Sequence, residues 1–108
     1  MKIELQVKPL SVNKVWQGRR FKTQDYVDYE SSCLWLLNKV KPVKGEVEIH
    51  YKFHFKGRMM DVDNPIKPLQ DVLVKAGIIE DDRKIMKITA EKFKAREDSI
   101  EIEIKHIK

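Results

Sequence analysis

From Val47 to Phe55 the chain alternates without a break: Val47, Ile49, Tyr51, Phe53 and Phe55 are apolar or aromatic, and Glu48, His50, Lys52 and His54 between them are polar. A period of two over that length is a β-strand with one buried and one wet face. Such a strand needs neighbours at its edges and a layer over its apolar side, so the chain must build a covered sheet.

The rest of the pattern supplies both. Ile3, Leu5 and Val7 alternate with Lys2, Glu4 and Gln6, predicting a first strand over 2–7. Two more strands are expected at about 85–94 and 99–107, with Ile100, Ile102 and Ile104 inward, Glu101, Glu103 and Lys105 outward, and Asp98-Ser99 near the turn between them. Tyr26, Tyr29, Cys33, Leu36, Leu37 and Val40 recur at spacings of three and four, predicting a helix over 24–40 with Thr23 as its cap and Pro42 and Gly45 ending it. Ile66, Leu69, Leu73 and Ala76 form a second stripe over 65–76, with Asn64 in capping position, Pro65 starting the helix, Pro68 still in its first turn and Gly77 stopping it. The order β-α-β-α-β-β implies an α+β sandwich in which two helices cover one face of a mixed or antiparallel sheet of about four strands.

A chain of 108 residues has room for one core, so residues 1–108 read as a single domain. Hydrophobic residues make up 42%, and 22 basic side chains against 17 acidic ones are not the one-sided excess of a disordered tail. No apolar run approaches the roughly 20 residues that cross a bilayer, and Met1-Lys2-Ile3-Glu4-Leu5 does not begin a signal peptide. A soluble protein of the cytoplasm, making no membrane contact, is the expectation. Cys33 is the only cysteine, which excludes an internal disulfide or a Cys-cluster metal site; its place in the apolar stripe assigns it to core packing.

The net charge of +5 favours a polyanionic partner only weakly. Its distribution says more. Residues 1–60 carry 12 Lys or Arg against 6 Asp or Glu, whereas 61–108 carry 10 against 11, and six of those eleven acids fall between Asp61 and Asp82. A basic chain that gathers carboxylates in one stretch needs a reason for doing so.

Asp61 and Asp63 stand two apart where extended chain becomes helix, so both carboxylates project to one side. Like charges there repel unless a hard cation lies between them, and magnesium is commonly held by one or two carboxylates plus a substrate phosphate. The competing account is structural: Asp63 or Asn64 caps the helix and Asp61 is solvated. Lys67 follows Asp63 by one helical turn and Asp71 follows Lys67 by another, which fits surface ion pairs, or an ammonium aimed at a phosphate with Asp71 holding Lys67 or Lys75. Asp81-Asp82 would by themselves cap a turn before the next strand. If the second helix reverses the chain, the same turn brings a third carboxylate toward the first two.

The run Asp61-Val62-Asp63-Asn64-Pro65-Ile66-Lys67, followed by Asp71, Leu73, Lys75-Ala76-Gly77, Asp81-Asp82 and Ile85, resembles the signature of the RusA family of phage-derived Holliday junction resolvases. The matched stretch covers about 25 residues with its spacing intact, far more specific than Asp-x-Asp alone. Outside it the likeness is looser: length, order of elements, and Ser11-Val12-Asn13 after the first strand. The resemblance implies a homodimeric, Mg2+-dependent endonuclease, with Mn2+ as a substitute metal, that makes paired symmetric nicks in four-way DNA junctions inside a bacterial or phage-infected cell. By position it assigns catalysis to Asp61, Asp63, Asp82 and Lys67, and the metal to the three aspartates with Asp81 as the adjacent alternative.

The loop Ser11–Lys22 then acquires a use. It is polar, basic and without period, and Lys14, Arg19, Arg20 and Lys22 are interleaved with Trp16 and Phe21, the mixture that neutralises phosphates and stacks unpaired bases. With Asn13, and with Lys56 and Arg58 ahead of the acidic pair, these form the expected DNA contacts; the competing account is a solvated loop with Trp16 and Phe21 folded onto the core. His50 and His54 share a strand face but lie about 13 Å apart, too far to hold one ion, and read as surface side chains. Two alternatives to a resolvase stand: a DNA- or junction-binding protein that does not cut, and a metal-dependent nuclease acting on other branched DNA or on RNA.

Overall fold

The computed structural model describes residues 1–18 and 21–107. Its strands are β1 (Lys2–Leu5), β2 (Trp16–Gln17), β3 (Phe21–Lys22), β4 (Val47–Phe55), β5 (Ile85–Lys94) and β6 (Ser99–His106), and its helices α1 (Gln24–Leu37) and α2 (Ile66–Lys75). The main sheet has the order β1-β6-β4-β5. β6 lies antiparallel to both β1 and β4, but β5 lies parallel to β4, so the sheet is mixed. Parallel neighbours cannot be joined by a hairpin, and α2 is the crossover that carries the chain from the end of β4 back to the start of β5.

Every apolar residue of the alternating run is buried: Val47, Ile49, Tyr51, Phe53 and Phe55 form one cluster with Tyr29, Cys33 and Leu37 of α1, Leu69, Val72 and Leu73 of α2, and Ile100, Ile102 and Ile104 of β6. The two helices thus cover one face, as expected. On the other, His50 pairs with Glu91 at 2.6 Å and His54 with Glu101 at 2.8 Å, which places both histidines on the wet surface. No helix among the described residues is long and apolar enough to cross a membrane.

Several boundaries differ from expectation, each for a local reason. β1 ends at Leu5, although Val7 still packs against the core. α1 does start at Thr23, whose hydroxyl accepts from the Tyr26 N–H, but it stops at Leu37; Leu36 is exposed and Leu34 faces the core instead. Asn64 does not cap α2. The cap position is Pro65, without a side-chain bond, because residues 61–66 already form a turn in which Asn64 N–H donates to the Asp61 carbonyl and Ile66 N–H to that of Asp63. The basic loop is not featureless either: a 3-10 turn at Val12–Lys14 precedes the small ribbon in which β2 pairs with β3.

Candidate functional site

Three features of the sequence make α2 return its chain to the sheet. Its apolar stripe packs Leu69, Val72 and Leu73 against β4, Gly77 takes φ +77° just past its end, and Ile78 and Ile79 are buried behind it. Val43 then bridges Ile79 in parallel, and Val43 N–H donates to the Ile78 carbonyl. A positive φ is nearly free for glycine and strained for other residues, so Gly77 sets the reversal. The chain next forms a 3-10 turn, Asp82–Lys84, capped by Asp81, whose Oδ1 accepts from the Arg83 N–H at 2.9 Å. That bond holds the Asp81 carboxyl below the usual carboxylate range. Asp81 is therefore occupied as a cap, and Asp82 is left to face α2.

What Asp82 faces is Lys67. The Lys67 ammonium donates to Asp71 Oδ1 at 2.6 Å and to Asp82 Oδ2 at 2.9 Å, joining residues 15 apart in sequence. Its two hydrogen bonds, to Asp71 first and to Asp82 second, push the Lys67 ammonium up to about 12, so it stays charged throughout the range in which enzymes work. Lys75 goes elsewhere, to Glu30 at 2.7 Å. The other oxygen of Asp82, Oδ1, is buried and has no hydrogen-bond partner. A buried acceptor without a donor costs free energy, and a ligand, ion or water that completed the site would relieve that cost.

Beneath this cluster lies a polar contact that the pattern conceals. Tyr51, fully buried in the middle of β4, donates its hydroxyl to Gln70 Oε1 at 3.1 Å. Burial, helped by the nearby Asp82 charge, raises the Tyr51 phenol far above its ordinary range, so it remains a neutral donor. The signal for Gln70 was available: it lies four residues after Ile66 and three before Leu73, a polar side chain inside an apolar stripe.

Asp61 and Asp63 are exposed and serve the turn ahead of α2 through their backbone carbonyls. The turn is anchored from two sides: Val12 N–H donates to the Asn64 carbonyl at 2.9 Å, and Lys92 Nζ of β5 donates to the Met60 carbonyl at 3.1 Å. Among the described residues no three His, Cys, Asp or Glu side chains are grouped so as to hold a metal ion. The positive charge found between carboxylates is the Lys67 ammonium, between Asp71 and Asp82. For a hard divalent cation the donor chemistry fits at Asp82, where an oxygen is buried and unused, and at Asp61 and Asp63, whose carboxylates are exposed.

The basic surface lies beside these acids. A cleft of about 690 Å3 is bounded by Lys8, Lys14, Arg58 and Met60 together with Asp25 and Tyr29 of α1; its lining stops short of Asp61, Lys67 and Asp82. Trp16 and Phe21, in the small ribbon, are 52% and 68% exposed and do not fold onto the core. Lys22 Nζ stands 5.8 Å from the Trp16 ring centre and 4.6 Å from that of Tyr26, a cation on two aromatic faces. Asn13 is exposed, with its N–H bonded to Ser11 Oγ, and Lys56 and Arg58 are exposed on the linker after β4. Arg19 and Arg20 lie outside the described residues.

Comparison with known proteins gives one family. The family model described as endodeoxyribonuclease RusA matches residues 6–105, which takes in the ribbon, both helices, the acidic turn and most of the sheet. No curated protein matches the chain.

Proposed function

The chain belongs to the RusA endodeoxyribonuclease family, a family of Holliday junction endonucleases, and from that premise we propose that it is a magnesium-dependent homodimer that cuts four-way DNA junctions by paired, symmetric nicks. The observation that carries the site assignment is Lys67 held between Asp71 and Asp82, with the second Asp82 oxygen buried and unpartnered. The metal, with manganese as a substitute, would be held by Asp82, Asp61 and Asp63, which would have to draw closer together to do so, since the described residues do not group three such side chains around one ion. When bound, it supplies activation of the attacking water and charge neutralisation at the leaving 3′ oxygen.

The remaining work belongs to the side chains. Lys67 offers a permanent positive charge to the phosphate undergoing in-line attack, where charge accumulates on the non-bridging oxygens. Asp71 aims that ammonium by holding it at 2.6 Å. Lys14, Lys22, Lys56 and Arg58, with Asn13, contact the phosphate backbone, and Trp16 and Phe21 offer exposed aromatic faces for stacking on bases unpaired at the branch point. A four-way junction has two-fold symmetry, so opposed nicks call for two copies of the site, and a C2 dimer is the simplest way to provide them.

The test is a panel of synthetic substrates, comprising four-way junction, flap, linear duplex and branched RNA, each with magnesium, with manganese and with a chelator. Symmetric nicks confined to the junction and lost on chelation are expected. Tight junction binding with no cleavage under any metal would replace this reading by that of a binding protein, and equal cutting of flaps or RNA would replace the substrate.

A further inference from the structure

The cleft of about 690 Å3 beside the acidic turn combines three chemistries in its lining. One part is apolar: Pro9 is buried, and Val7, Leu10 and Met60 are half-buried and pack against the core. Lys8, Lys14 and Arg58 add positive charge. Asp25 and Asp28, three residues apart and so on one face of α1, add negative charge. Among the described residues none of these five charged groups is in an ion pair. Asp28 accepts from Gln24 Nε2 with one oxygen at 2.8 Å and keeps the other.

Cations, apolar walls and acceptors around one concave space complement a nucleotide, which carries a phosphate, two flat apolar faces and donors on its edge. The volume falls in the roughly 300–1,000 Å3 range of small-ligand pockets, which admits a nucleotide and not a duplex. The carboxylates are the informative part. On a surface that takes up DNA they repel phosphate, so they are favourable only against a donor, and the donors DNA offers are on its base edges. We propose that the cleft takes up one unpaired nucleotide of the branched DNA, and that Asp25 and Asp28 select a base with an exocyclic amine, adenine, cytosine or guanine, over thymine. The single edge donor of thymine lies between two carbonyl oxygens that repel a carboxylate. Lys8, Lys14 and Arg58 hold the phosphates on either side, and the base lies against Leu10 and Met60.

This pocket rests on the reading of the chain as a nuclease for branched DNA, and adds to it a way of telling a branch from plain duplex. The cleft shares a wall with the acidic turn: Met60 directly precedes Asp61, and the loop that carries Ser11 and Lys14 is fastened to the Asn64 carbonyl by the Val12 N–H at 2.9 Å. A nucleotide held there is a near neighbour of any phosphate that meets Asp61 and Asp63. Taking a base out of a duplex costs stacking and pairing, and that cost is least for a base already unpaired. The cleft therefore fills at a branch point and stays empty on linear duplex, and the base that fills it sets where the nick falls.

The test places 2-aminopurine, a fluorescent base that carries an exocyclic amine, at each position flanking the branch point of a synthetic four-way junction and reads its fluorescence in chelator, where cleavage is silent. Wild-type protein should brighten one of these positions severalfold, as unstacking does, and should leave the same base dark in linear duplex. Ser32→Phe, at an exposed position of α1 that lines the cleft, fills it and should abolish the signal. At that position, thymine should slow single-turnover nicking by about tenfold relative to cytosine or adenine, the size of one lost base-edge contact, and the Asp25→Asn, Asp28→Asn double variant should bring the ratio to within about threefold of one. A junction that binds without brightening any position, or brightening that survives Ser32→Phe, would overturn the pocket and leave the nuclease standing. Brightening without base preference would remove Asp25 and Asp28 from selection. Brightening with no cleavage under magnesium or manganese would support the pocket and refute the nuclease, and failure to bind the junction at all would overturn both.

Discussion

Replacing Asp82 by Asn should separate catalysis from folding and from DNA binding. The carboxylate spends one oxygen on Lys67 and leaves the other buried without a partner, while Lys67 keeps its shorter bond to Asp71. On the stability side only one half-exposed ion pair is lost, about 0.2–1 kcal/mol by the usual worth of such pairs. For a domain of this size that lowers Tm by no more than roughly 8 °C. Binding of a four-way junction rests on basic residues elsewhere and should stay within about threefold of wild type when measured in calcium or chelator, where cleavage is silent. Cleavage should fall by at least about 100-fold, because an amide is a poorer ligand for a hard cation and one of the two carboxylates flanking Lys67 is gone. The assay is single-turnover nicking of an end-labelled junction beside gel-shift binding and a urea melt of the same preparation. Activity within about threefold of wild type would remove Asp82 from the site, and a loss of binding equal to the loss of cleavage would refute the division of labour argued here.

Three further outcomes follow. Lys67→Ala should slow nicking by about 100-fold with little loss of junction affinity, and should leave the shape of the pH profile between 6 and 9 unchanged. The sign is set by a folded-state value of about 12 above the ordinary 10.5: the ammonium and its ion pairs persist below 10.5 and are lost only as pH climbs through 12. Tyr51→Phe strands the Gln70 amide oxygen in the core and should cost about 1–3 kcal/mol in urea denaturation, whereas adding Gln70→Leu should recover most of that; equal costs for the single and double variants would exclude the bond. Cys33, fully buried and with its thiol pushed up to about 11 by that burial, should resist thiol reagents at pH 8 in the native protein and react once urea unfolds it; fast native labelling would contradict the packing of α1.

Patterns that are local in the chain were legible before any coordinates. The alternation from Val47 to Phe55 is a strand because side chains on extended backbone change faces at every residue, and Thr23 starts α1 because its hydroxyl reaches the third amide beyond it. The acidic run and its spacing pointed to the family that the match over residues 6–105 establishes. Ends were harder to read. Leu36 and Val40 continue a helical spacing, yet α1 stops at Leu37, and Leu36 is exposed while Leu34 packs on the core, because which side of a helix is buried depends on what covers it.

The sequence by itself determined the order of the two helices and the four strands of the main sheet, the buried faces of β1, β4 and β6, and which residue types are available for chemistry, since all three depend on neighbours within a few positions. Tertiary structure alone decided that β5 runs parallel to β4 and ends the sheet, that Lys67 finds Asp82 across 15 residues, that Pro65 rather than Asn64 stands at the cap of α2, and that Trp16 and Phe21 stay in solvent. The first two depend on how α2 closes back onto the sheet through Gly77 and the Val43–Ile79 bridge. Such closure is a competition among distant contacts, and periodicity within a few residues carries no record of which of them wins.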